Sequence, residues 1–270
     1  ERGDCVENRV KKVSVFADGG MFDPVTNVQF GAGGAGTFSD GKLTTRISDP
    51  RCSFVTEKMI EFGAPKDIAT KAKPHIGTDV LRGVISRASD EIVRLGGEIR
   101  YLSKAEKITD SCISVNGEKI PFGVLVIATG HSARDVYKEV IGNGFAVEPK
   151  PFSAGIRIEH LQSDIDRAMY GDLAGKYGLE HADYALSMRR GSKGVYSFCM
   201  CPGGTVVASA SERGTVVTNG MSYHARDGRN ANSAIAVSIN ENDFGGDVFS
   251  AIAFQHTIEQ KAFETARGGA

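Results

Sequence analysis

A glycine-rich stretch at residues 31–43, GAGGAGTFSDGKL, has residue types that can bind a phosphate group. Three of its glycines, Gly31, Gly33 and Gly36, match the spacing G-x-G-x-x-G of dinucleotide-binding loops. That motif requires a strand that leads into the loop and a helix that begins within it. Here the loop runs into Thr-Phe-Ser-Asp-Gly, which favours a turn. We therefore predict that these glycines are not the dinucleotide fingerprint.

Two interpretations of this loop remain open on composition. Its backbone N–H groups could close around an anion, with Ser39, Asp40 and Lys42 beside it, or the loop could be a plain surface turn. Residues 36–43 also approach the P-loop pattern G-x-x-x-x-G-K-[ST], but Leu43 stands where a hydroxyl residue would hold magnesium. An NTP-binding protein is therefore one alternative.

A second nucleotide signal is the stretch VLVIATGH at residues 124–131. Its apolar part predicts a buried strand, and Ala128, Thr129 and Gly130 form a turn of small residues. Such a turn lets the backbone press against a planar or phosphorylated ligand, where a larger side chain would clash. The alternative is an ordinary buried strand with an ordinary turn.

Candidates for catalysis are two cysteines and two histidines. Cys199 and Cys201 lie two apart on a predicted strand, so both side chains should face one side. They could form a reactive thiol pair, but we favour two small core residues, because free cysteine is commonly buried. His75 and His131 could donate a proton or contact a substrate. No second Cys/His pair at zinc-finger spacing is present, so we predict no metal site.

The pattern of apolar residues predicts an α/β first half and a β-rich second half. Helices are expected at 53–62, at 78–95 with Thr78 as cap, and after Ser132. A hairpin is expected around Asn116-Gly117. We divide the chain into residues 1–148, a β-rich unit at 149–255, and a helix that begins near residue 256.

Charge and composition exclude several classes of function. The 270 residues carry a formal net charge of -1, so no basic field would attract nucleic acid. The longest apolar run, VLVIA, is far too short to span a membrane. Five cysteines, an odd number without a C-x-x-C pair, favour reduced thiols and a cytoplasmic protein.

The chain resembles a family of bacterial FAD-dependent dehydrogenases, NAD(P)/FAD-dependent oxidoreductases with the FAD fold of glutathione reductase. The stretches that carry the resemblance are NVQFGAGGAGTFSDGKLTTR, KPHIGTD, ATGHSARD, KPFSAGIRIEH, YSFCMCPGG and TNGMSYHARDGRNANSA. It implies a partial Rossmann-like FAD/NAD(P)-binding domain with an inserted β-rich substrate domain. It also implies that the N-terminal G-x-G-x-x-G unit and the C-terminal segment that closes over the flavin lie outside this sequence.

The resemblance also implies cofactor-binding positions. Glu1, followed by Arg2, would bind the adenosine ribose, the backbone of Ala105 would meet adenine, and residues 128–130 would lie against the nucleotide. Ala32 departs from the family, which tends to have Glu there. Near the pyrophosphate or the flavin ring would lie Gly33, Gly34, Ser39, Asp40 and Lys42.

The sequence thus predicts an FAD-dependent oxidoreductase that acts on a small-molecule substrate, with NAD(P)H as a possible electron donor. The substrate, the acid or base and the oligomeric state are not predicted. Two alternatives stay open, a non-catalytic nucleotide-binding or sensing protein and the phosphate-loop NTP-binding protein. The flavoprotein prediction has the broadest support, because its matching stretches extend over nearly the whole chain.

Overall fold

The computed structural model describes residues 1–45 and 47–268. Short 3-10 turns at Gly34–Phe38, Lys66–Ala69 and Gly171–Leu173 connect the longer elements. The helices in the described ranges are α1 (Val6–Ala17), α2 (Arg51–Glu61), α3 (Thr78–Arg94), α4 (Arg134–Gly142), α5 (Gln162–Tyr170), α6 (Glu241–Phe244) and α7 (Val248–Thr265). Within those ranges, no helix is long and apolar enough to cross a membrane.

The strands of the described chain form three sheets. A small sheet has the order β1-β2-β3, a four-stranded sheet has the order β4-β9-β6-β5, and β7 pairs with β8. The strands are β1 (Ala105–Ile108), β2 (Cys112–Val115), β3 (Glu118–Pro121), β4 (Phe152–Leu161), β5 (Ser187–Arg190), β6 (Lys193–Cys201), β7 (Thr205–Ala208), β8 (Thr218–Met221) and β9 (Asn230–Ile239).

The fold is therefore a mixed one, with helices and several antiparallel sheets. Every strand pair among residues 1–45 and 47–268 is antiparallel. The parallel sheet of a Rossmann-like domain is not among these pairs. The β-rich second half agrees with the prediction, whereas the proposed division into domains stays a prediction.

The hairpin β2–β3 forms where the Asn-Gly pair predicted it. Asn116 and Gly117 both have positive φ angles, 48° and 84°. Two successive positive φ angles give the turn that matches the twist of two antiparallel strands. Helices α2 and α3 also lie where apolar periodicity predicted them.

The predicted buried strand at 124–129 is wrong. No strand is assigned there, and Val124 and Val126 are 85% and 80% exposed. A strand requires a neighbour that exchanges backbone hydrogen bonds, and among the described strands none pairs with this segment. Only Leu125 packs inward, against the cluster that contains Phe30, Ala133 and Val136.

Three helix boundaries also differ from the predictions. Gly77, not Thr78, is the N-cap of α3. The Thr78 hydroxyl instead donates a hydrogen bond to the Thr37 carbonyl at 2.8 Å. Ala133 rather than Ser132 precedes α4 without a side-chain cap. The last helix begins at Val248 instead of near residue 256, because Asp247 accepts two backbone N–H groups and caps it.

Two apolar clusters position the glycine loop. One packs Leu81 and Val84 of α3 against Ile68 and Ile76. The other packs Phe30, just before the loop, against Ile108 of β1 and against Ala133 and Val136 at the start of α4. The loop therefore lies between α3 on one side and the β1–α4 unit on the other.

Candidate functional site

A cleft of about 400 Å³ lies beside the glycine loop, and we call it the glycine-loop cleft. Its volume lies within the range of roughly 300–1,000 Å³ that is usual for small-molecule sites. It is lined by Glu1, Arg2, Gln29, Phe30, Gly33, Gly34, Ala35, Ser103, Ala105, Ala128, Thr129, Gly130, His131, Ser132, Ala133 and Val136. Four separate parts of the sequence, at residues 1–2, 29–35, 103–105 and 128–136, thus contribute to one cavity.

This cleft brings together most of the positions expected to hold a cofactor. Ser39, Asp40 and Lys42 do not line it and belong to a second cluster described below. Of the two candidate histidines, His131 lines the cleft and His75 does not. The expected cofactor positions along its wall are Glu1, Arg2, Gly33, Gly34, Ala105, Ala128, Thr129 and Gly130.

The Glu1 carboxylate is held in the cleft by backbone groups. Its Oε1 accepts hydrogen bonds from the N–H groups of Gly3 at 2.8 Å and Gly31 at 3.1 Å. The Glu1 carbonyl accepts from the N–H of Ser103 at 2.9 Å, which ties the segment to the residues before β1. Oε2 has no hydrogen-bond partner among the described residues and can accept from a ligand hydroxyl.

The glycine loop is held from behind by Arg9 of α1. The Arg9 side chain is fully buried and donates to five backbone carbonyls at distances of 2.6 to 3.4 Å. Its plane also lies over the Phe38 ring, 4.9 Å from the centroid. The five carbonyls belong to Asn27, Val28, Gly31, Ala32 and Gly34.

Sequence reasoning missed Arg9 and the helix that contains it. Burial lowers the pKa of Arg9 to about 10, and the nearby Glu1 carboxylate opposes that change. A guanidinium presents five N–H donors in a fixed plane, so it can satisfy several carbonyls that a ligand could not reach. The only signal in the sequence was an arginine in a helix-compatible stretch close to a glycine-rich loop.

Bare backbone forms two parts of the cleft wall. Gly34 and Gly130 have φ angles of 60° and 75°, in the left-handed region that favours glycine. A Cβ added at either position would meet no atom within 4 Å, so open space lies where a side chain would project. Gly33 differs, because a Cβ there would collide with the Thr37 hydroxyl inside the loop.

Arg2 forms a fixed side of the cleft. Its Nη2 lies 2.6 Å from Oδ1 of Asp135, and its guanidinium lies 4.4 Å from the centroid of the Phe30 ring. The same Asp135 also pairs with Lys104. Burial raises the pKa of Asp135, but the Arg2 and Lys104 partners outweigh it and lower that pKa below its usual range.

Asp40 and Lys42 belong to a second group, which we call the Asp40 cluster. It consists of Asp40, Lys42, Ser222 and Arg226. The buried Asp40 carboxylate accepts from Lys42 Nζ at 2.8 Å, from Arg226 Nη2 at 2.6 Å and from the Ser222 hydroxyl. Burial raises the pKa of Asp40, but the Lys42 and Arg226 charges outweigh it and lower the pKa to about 2.

The expectation that Ser39 and Lys42 contact phosphate beside the glycines gains no support from their contacts. Ser39 Oγ donates to the Gly36 carbonyl at 2.7 Å and accepts from the Gly41 N–H at 3.0 Å, so it closes a turn. Lys42 forms an isolated β-bridge with His75, and within the described ranges no helix begins beside it. The loop therefore lacks the helix N-terminus of a P-loop.

The two cysteines of β6 lie against Lys42. Lys42 Nζ is 3.6 Å from Cys201 Sγ and 3.9 Å from Cys199 Sγ, and the two sulfurs are 3.9 Å apart. Cys201 is fully buried and Cys199 is partly exposed, and both are free thiols. The expected core role therefore accounts for the burial of Cys201 but not for its charged neighbour.

Cys199 and Cys201 lie at a bulge in β6. The register with β9 shifts between Phe198 and Cys201, and Cys199 has a positive φ of 48°. Such a φ is uncommon for a residue with a side chain and places local strain at this point. The two sulfurs nevertheless lie on the same side, 3.9 Å apart and against Lys42, as the spacing predicted, although the strand between them is bulged rather than regular.

His75 lines a second cavity, of about 290 Å³, together with Arg226 and His224. Its Nε2 lies 3.0 Å from the His224 carbonyl, and the two imidazole rings stack with centroids 5.4 Å apart. Burial lowers the pKa of His75 below its usual value. A neutral ring is therefore favoured near pH 7.

Two comparisons connect the chain to known proteins. Residues 151–270 match the model of a family described as "FAD-dependent protein, C-terminal domain-like". The chain is also similar to a protein of Clostridium beijerinckii that is described as an "Uncharacterized protein". The two are 48% identical over 276 residues, which cover 99% of this chain and 52% of that relative. The chain thus spans about half the length of the curated relative that it matches.

At a coarse level, the second half of the chain is similar to FAD-dependent proteins, and the relative is bacterial. The match does not include the glycine-loop cleft, which is built from residues 1–136. The match and the cleft are therefore separate observations.

Proposed function

We propose that the protein binds FAD and that the glycine-loop cleft holds the adenosine and pyrophosphate part of the cofactor. One observation carries the proposal: the Glu1 carboxylate, with one oxygen free of partners within the described ranges, lines the same cavity as the exposed glycine backbone at Gly34 and Gly130. The similarity of residues 151–270 to FAD-dependent proteins supports the choice of FAD among nucleotides. The long sequence resemblance to FAD-dependent dehydrogenases with the glutathione reductase plan supports it further.

The chemistry of the lining fits an adenosine moiety. The N–H groups of Gly3 and Gly31 both donate to Oε1 of Glu1 and hold the carboxylate in place. Oε2 is therefore left to accept hydrogen bonds from ribose hydroxyls. Adenine would lie near the backbone of Ala105 at the start of β1. The open space beside Gly34 and Gly130 can admit a ligand close to the backbone.

We propose that the chemistry is oxidoreduction of a small molecule. A bound flavin supplies two-electron or one-electron transfer, while the protein binds the cofactor, orients it and shapes the substrate face. NAD(P)H is the proposed electron donor, by resemblance to the dehydrogenase family alone. Five free cysteines match a reducing compartment, so we place the protein in the cytoplasm.

The first test is the visible absorption spectrum of the purified protein, prepared as the complete natural chain that contains residues 1–270. We expect flavin bands, and release of FAD on denaturation. A protein that stays colourless after incubation with FAD and desalting would contradict the proposal.

The cleft is tested by substitution of Glu1. Glu1→Gln keeps an oxygen for Gly3 and Gly31 but removes the charge that strengthens bonds to ribose. A hydrogen bond to a charged group contributes about 1.5–3 kcal/mol, so FAD affinity should fall by roughly tenfold or more. The matched control is Glu57→Gln on α2, an exposed position outside the cleft lining. Unchanged affinity in Glu1→Gln would place the adenosine elsewhere.

A sensing protein without turnover is distinguished by reduction of the bound flavin. Under anaerobic conditions, NADH or NADPH should bleach the flavin absorbance, and an added acceptor should restore it. If neither NADH, NADPH nor an acceptor changes the flavin absorbance, the sensing alternative is favoured. Magnesium-dependent hydrolysis of ATP or GTP by a colourless protein would favour the NTP-binding alternative.

A further inference from the structure

Cys199 and Cys201 lie in a setting that the cofactor proposal does not use. Neither cysteine lines the glycine-loop cleft. Their sulfurs are 3.9 Å apart, and both are within 4 Å of the Lys42 ammonium group. A disulfide requires a sulfur separation near 2.05 Å, so a side-chain rotation must bring the sulfurs together.

The charges around the pair favour a thiolate. Lys42 approaches from the glycine loop, and Arg157 of β4 donates to the Cys199 carbonyl at 3.2 Å. The contact with the Cys201 thiol, together with the charges of Lys42 and Arg157, lowers the pKa of Cys199 to about 5, although burial opposes it. The same contact, burial and the negative charge of Asp40 raise the pKa of Cys201.

Exposure divides the two sulfurs into different roles. Cys199 is partly exposed, so a small reagent can reach it, whereas Cys201 is fully buried. The Cys201 thiol also lies 3.3 Å from the Cys199 carbonyl, to which it can donate. This division corresponds to an attacking thiolate and a second thiol that resolves the product.

A buried side-chain donor without a hydrogen-bond partner in the described chain, the Asn232 amide, lies on the strand that pairs with Cys201. Asn232 of β9 is opposite Cys201 in the strand register and is fully buried. Its Oδ1 accepts from Arg157, but its Nδ2 has no hydrogen-bond partner among the described residues. An unsatisfied buried donor is costly, and it suits a site where an oxygen atom arrives during a reaction.

We propose that Cys199 and Cys201 form a dithiol that reacts with a hydroperoxide and closes to an intrachain disulfide. The Cys199 thiolate attacks the terminal oxygen of the hydroperoxide, the O–O bond breaks and a sulfenic acid forms. The departing alkoxide takes a proton and leaves as an alcohol, or as water from hydrogen peroxide. Lys42 can stabilise that developing negative charge.

The second step forms the disulfide. Cys201 Sγ attacks Cys199 Sγ, the S–O bond breaks, and the S–S bond forms. Hydroxide leaves with the proton of Cys201 as water. In sum, the two thiols lose two electrons and two protons, and the hydroperoxide is reduced to an alcohol and water.

Peptide mapping tests the proposal on the wild-type protein. Trypsin cleaves after Lys193 and Arg213, so residues 194–213 form one peptide that contains both cysteines. After one equivalent of hydrogen peroxide and alkylation of the remaining thiols, we expect this peptide to lack two hydrogen atoms and carry no alkyl group. A peptide 194–213 that is alkylated at both cysteines, at a peroxide dose that oxidises Cys52, would overturn the proposal.

Two variants separate the roles of the sulfurs. Cys201→Ser should stop the reaction at a sulfenic acid on Cys199 that dimedone traps, and Cys199→Ser should leave Cys201 unmodified. Cys52→Ser, on α2 and outside the cluster, is the matched control and should form the disulfide as the wild type does. Circular dichroism verifies folding, and the wild-type experiment stands alone if either variant fails to fold. Equal trapping at both cysteines would overturn the assignment of roles.

The pH profile of alkylation tests the role of Lys42. Between pH 6 and pH 8 the rate at Cys199 should change less than about threefold, whereas an unperturbed thiol with a pKa of about 8.5 changes roughly fiftyfold or more. Lys42→Gln should move the profile to higher pH, and Lys42→Arg should restore it. A profile that Lys42→Gln leaves in place would overturn the role of this ammonium group. None of these measurements depends on bound flavin, so their outcome is independent of the proposed function.

Discussion

Asp40 is a buried carboxylate that forms ion pairs with two cations and accepts a hydrogen bond from one hydroxyl. It joins the glycine loop to Ser222 and Arg226, which lie more than 180 residues later in the chain. Removal of one partner from a buried ion pair is costly, because the other charge stays buried without compensation. At the scale of single residues, this carboxylate is one of the connections that fix the loop against the β-rich half.

The first prediction concerns the stability that Asp40 provides. Because its folded pKa of about 2 is lowered from 3.8, its contribution is present above pH 4 and is lost as pH falls toward 2. The pKa shift corresponds to roughly 2 kcal/mol. In urea unfolding, the difference in free energy between wild type and Asp40→Asn should therefore shrink by about that amount between pH 6 and pH 2.

The matched control for this prediction is Asp90→Asn. Asp90 is exposed on α3 and forms no ion pair within the described residues. Its difference from wild type should stay nearly constant over the same pH range. A constant difference for Asp40→Asn would show that the carboxylate is not held as described.

At the scale of single elements, the pairing of β4 with β9 restricts which residue can stand at position 155. Gly155 of β4 is opposite Ala236 of β9, and a Cβ at Gly155 would collide with the backbone carbonyl of Ile235. A backbone atom cannot move aside as the end of a flexible side chain can. Glycine is therefore required at this position by a neighbouring strand and not by its own φ angle.

The second prediction follows from this close approach. Gly155→Ala should destabilise the protein by roughly 2 kcal/mol, as overpacking in a tight site does. Its thermal midpoint should fall by about 4–8 °C. The matched control is Gly194→Ala on β6, where the nearest atom to a new Cβ is Ser238 Oγ at 3.4 Å. Equal midpoints for the two variants would contradict the described register.

At the scale of the whole molecule, hydrogen bonds and an ion pair, several of them only partly buried, join the two halves. The N–H of Thr78 at the start of α3 donates to the Ser222 carbonyl at 3.0 Å, and Asn219 Nδ2 donates to the Phe38 carbonyl at 3.1 Å. Arg134 of α4 pairs with Glu259 of α7 at 2.7 Å. These contacts connect the unit that contains the cleft with the unit that contains the cysteines.

The third prediction is that residues 1–148 and 149–255 unfold together. Far-UV and near-UV circular dichroism should give coincident thermal transitions, and the calorimetric and van't Hoff enthalpies should agree. Two separated transitions would mean that the halves are independent domains and that the contacts at Thr78 and Asn219 add little to stability.

Local features were predictable from the sequence, and non-local ones were not. The Asn116-Gly117 turn and the periodic helix α3 depend on neighbouring residues, so pattern reasoning found them. The segment at 124–129 has a strand composition, but pairing depends on a partner that composition does not specify. The contact of Lys42 with Cys199 likewise spans 157 residues and leaves no local pattern.

Most of the expected cofactor positions share one cleft, and their role in cofactor binding stays a prediction. Residues 128–130 and Gly33 lie in one cavity although the expected strand is not formed, because small residues mark close backbone approach in any fold. Three expected positions do not line the cleft, and two of them, Asp40 and Lys42, are charged residues beside the glycines. The Lys42 ammonium group contacts the Asp40 carboxylate and the Cys201 sulfur. The contact with Cys201 joins distant parts of the sequence, so residue spacing does not predict it.

The hydrogen bonds from Arg9 to five backbone carbonyls have a consequence for the order in which the protein folds. Helix α1 is local, but Arg9 meets carbonyls 18 to 25 residues away. Those carbonyls gain their partner only when α1 docks, so the glycine loop cannot reach its final shape earlier. Opening of α1 in the native state would release the same carbonyls. The loop and the helix should therefore exchange their amide protons as one cooperative unit.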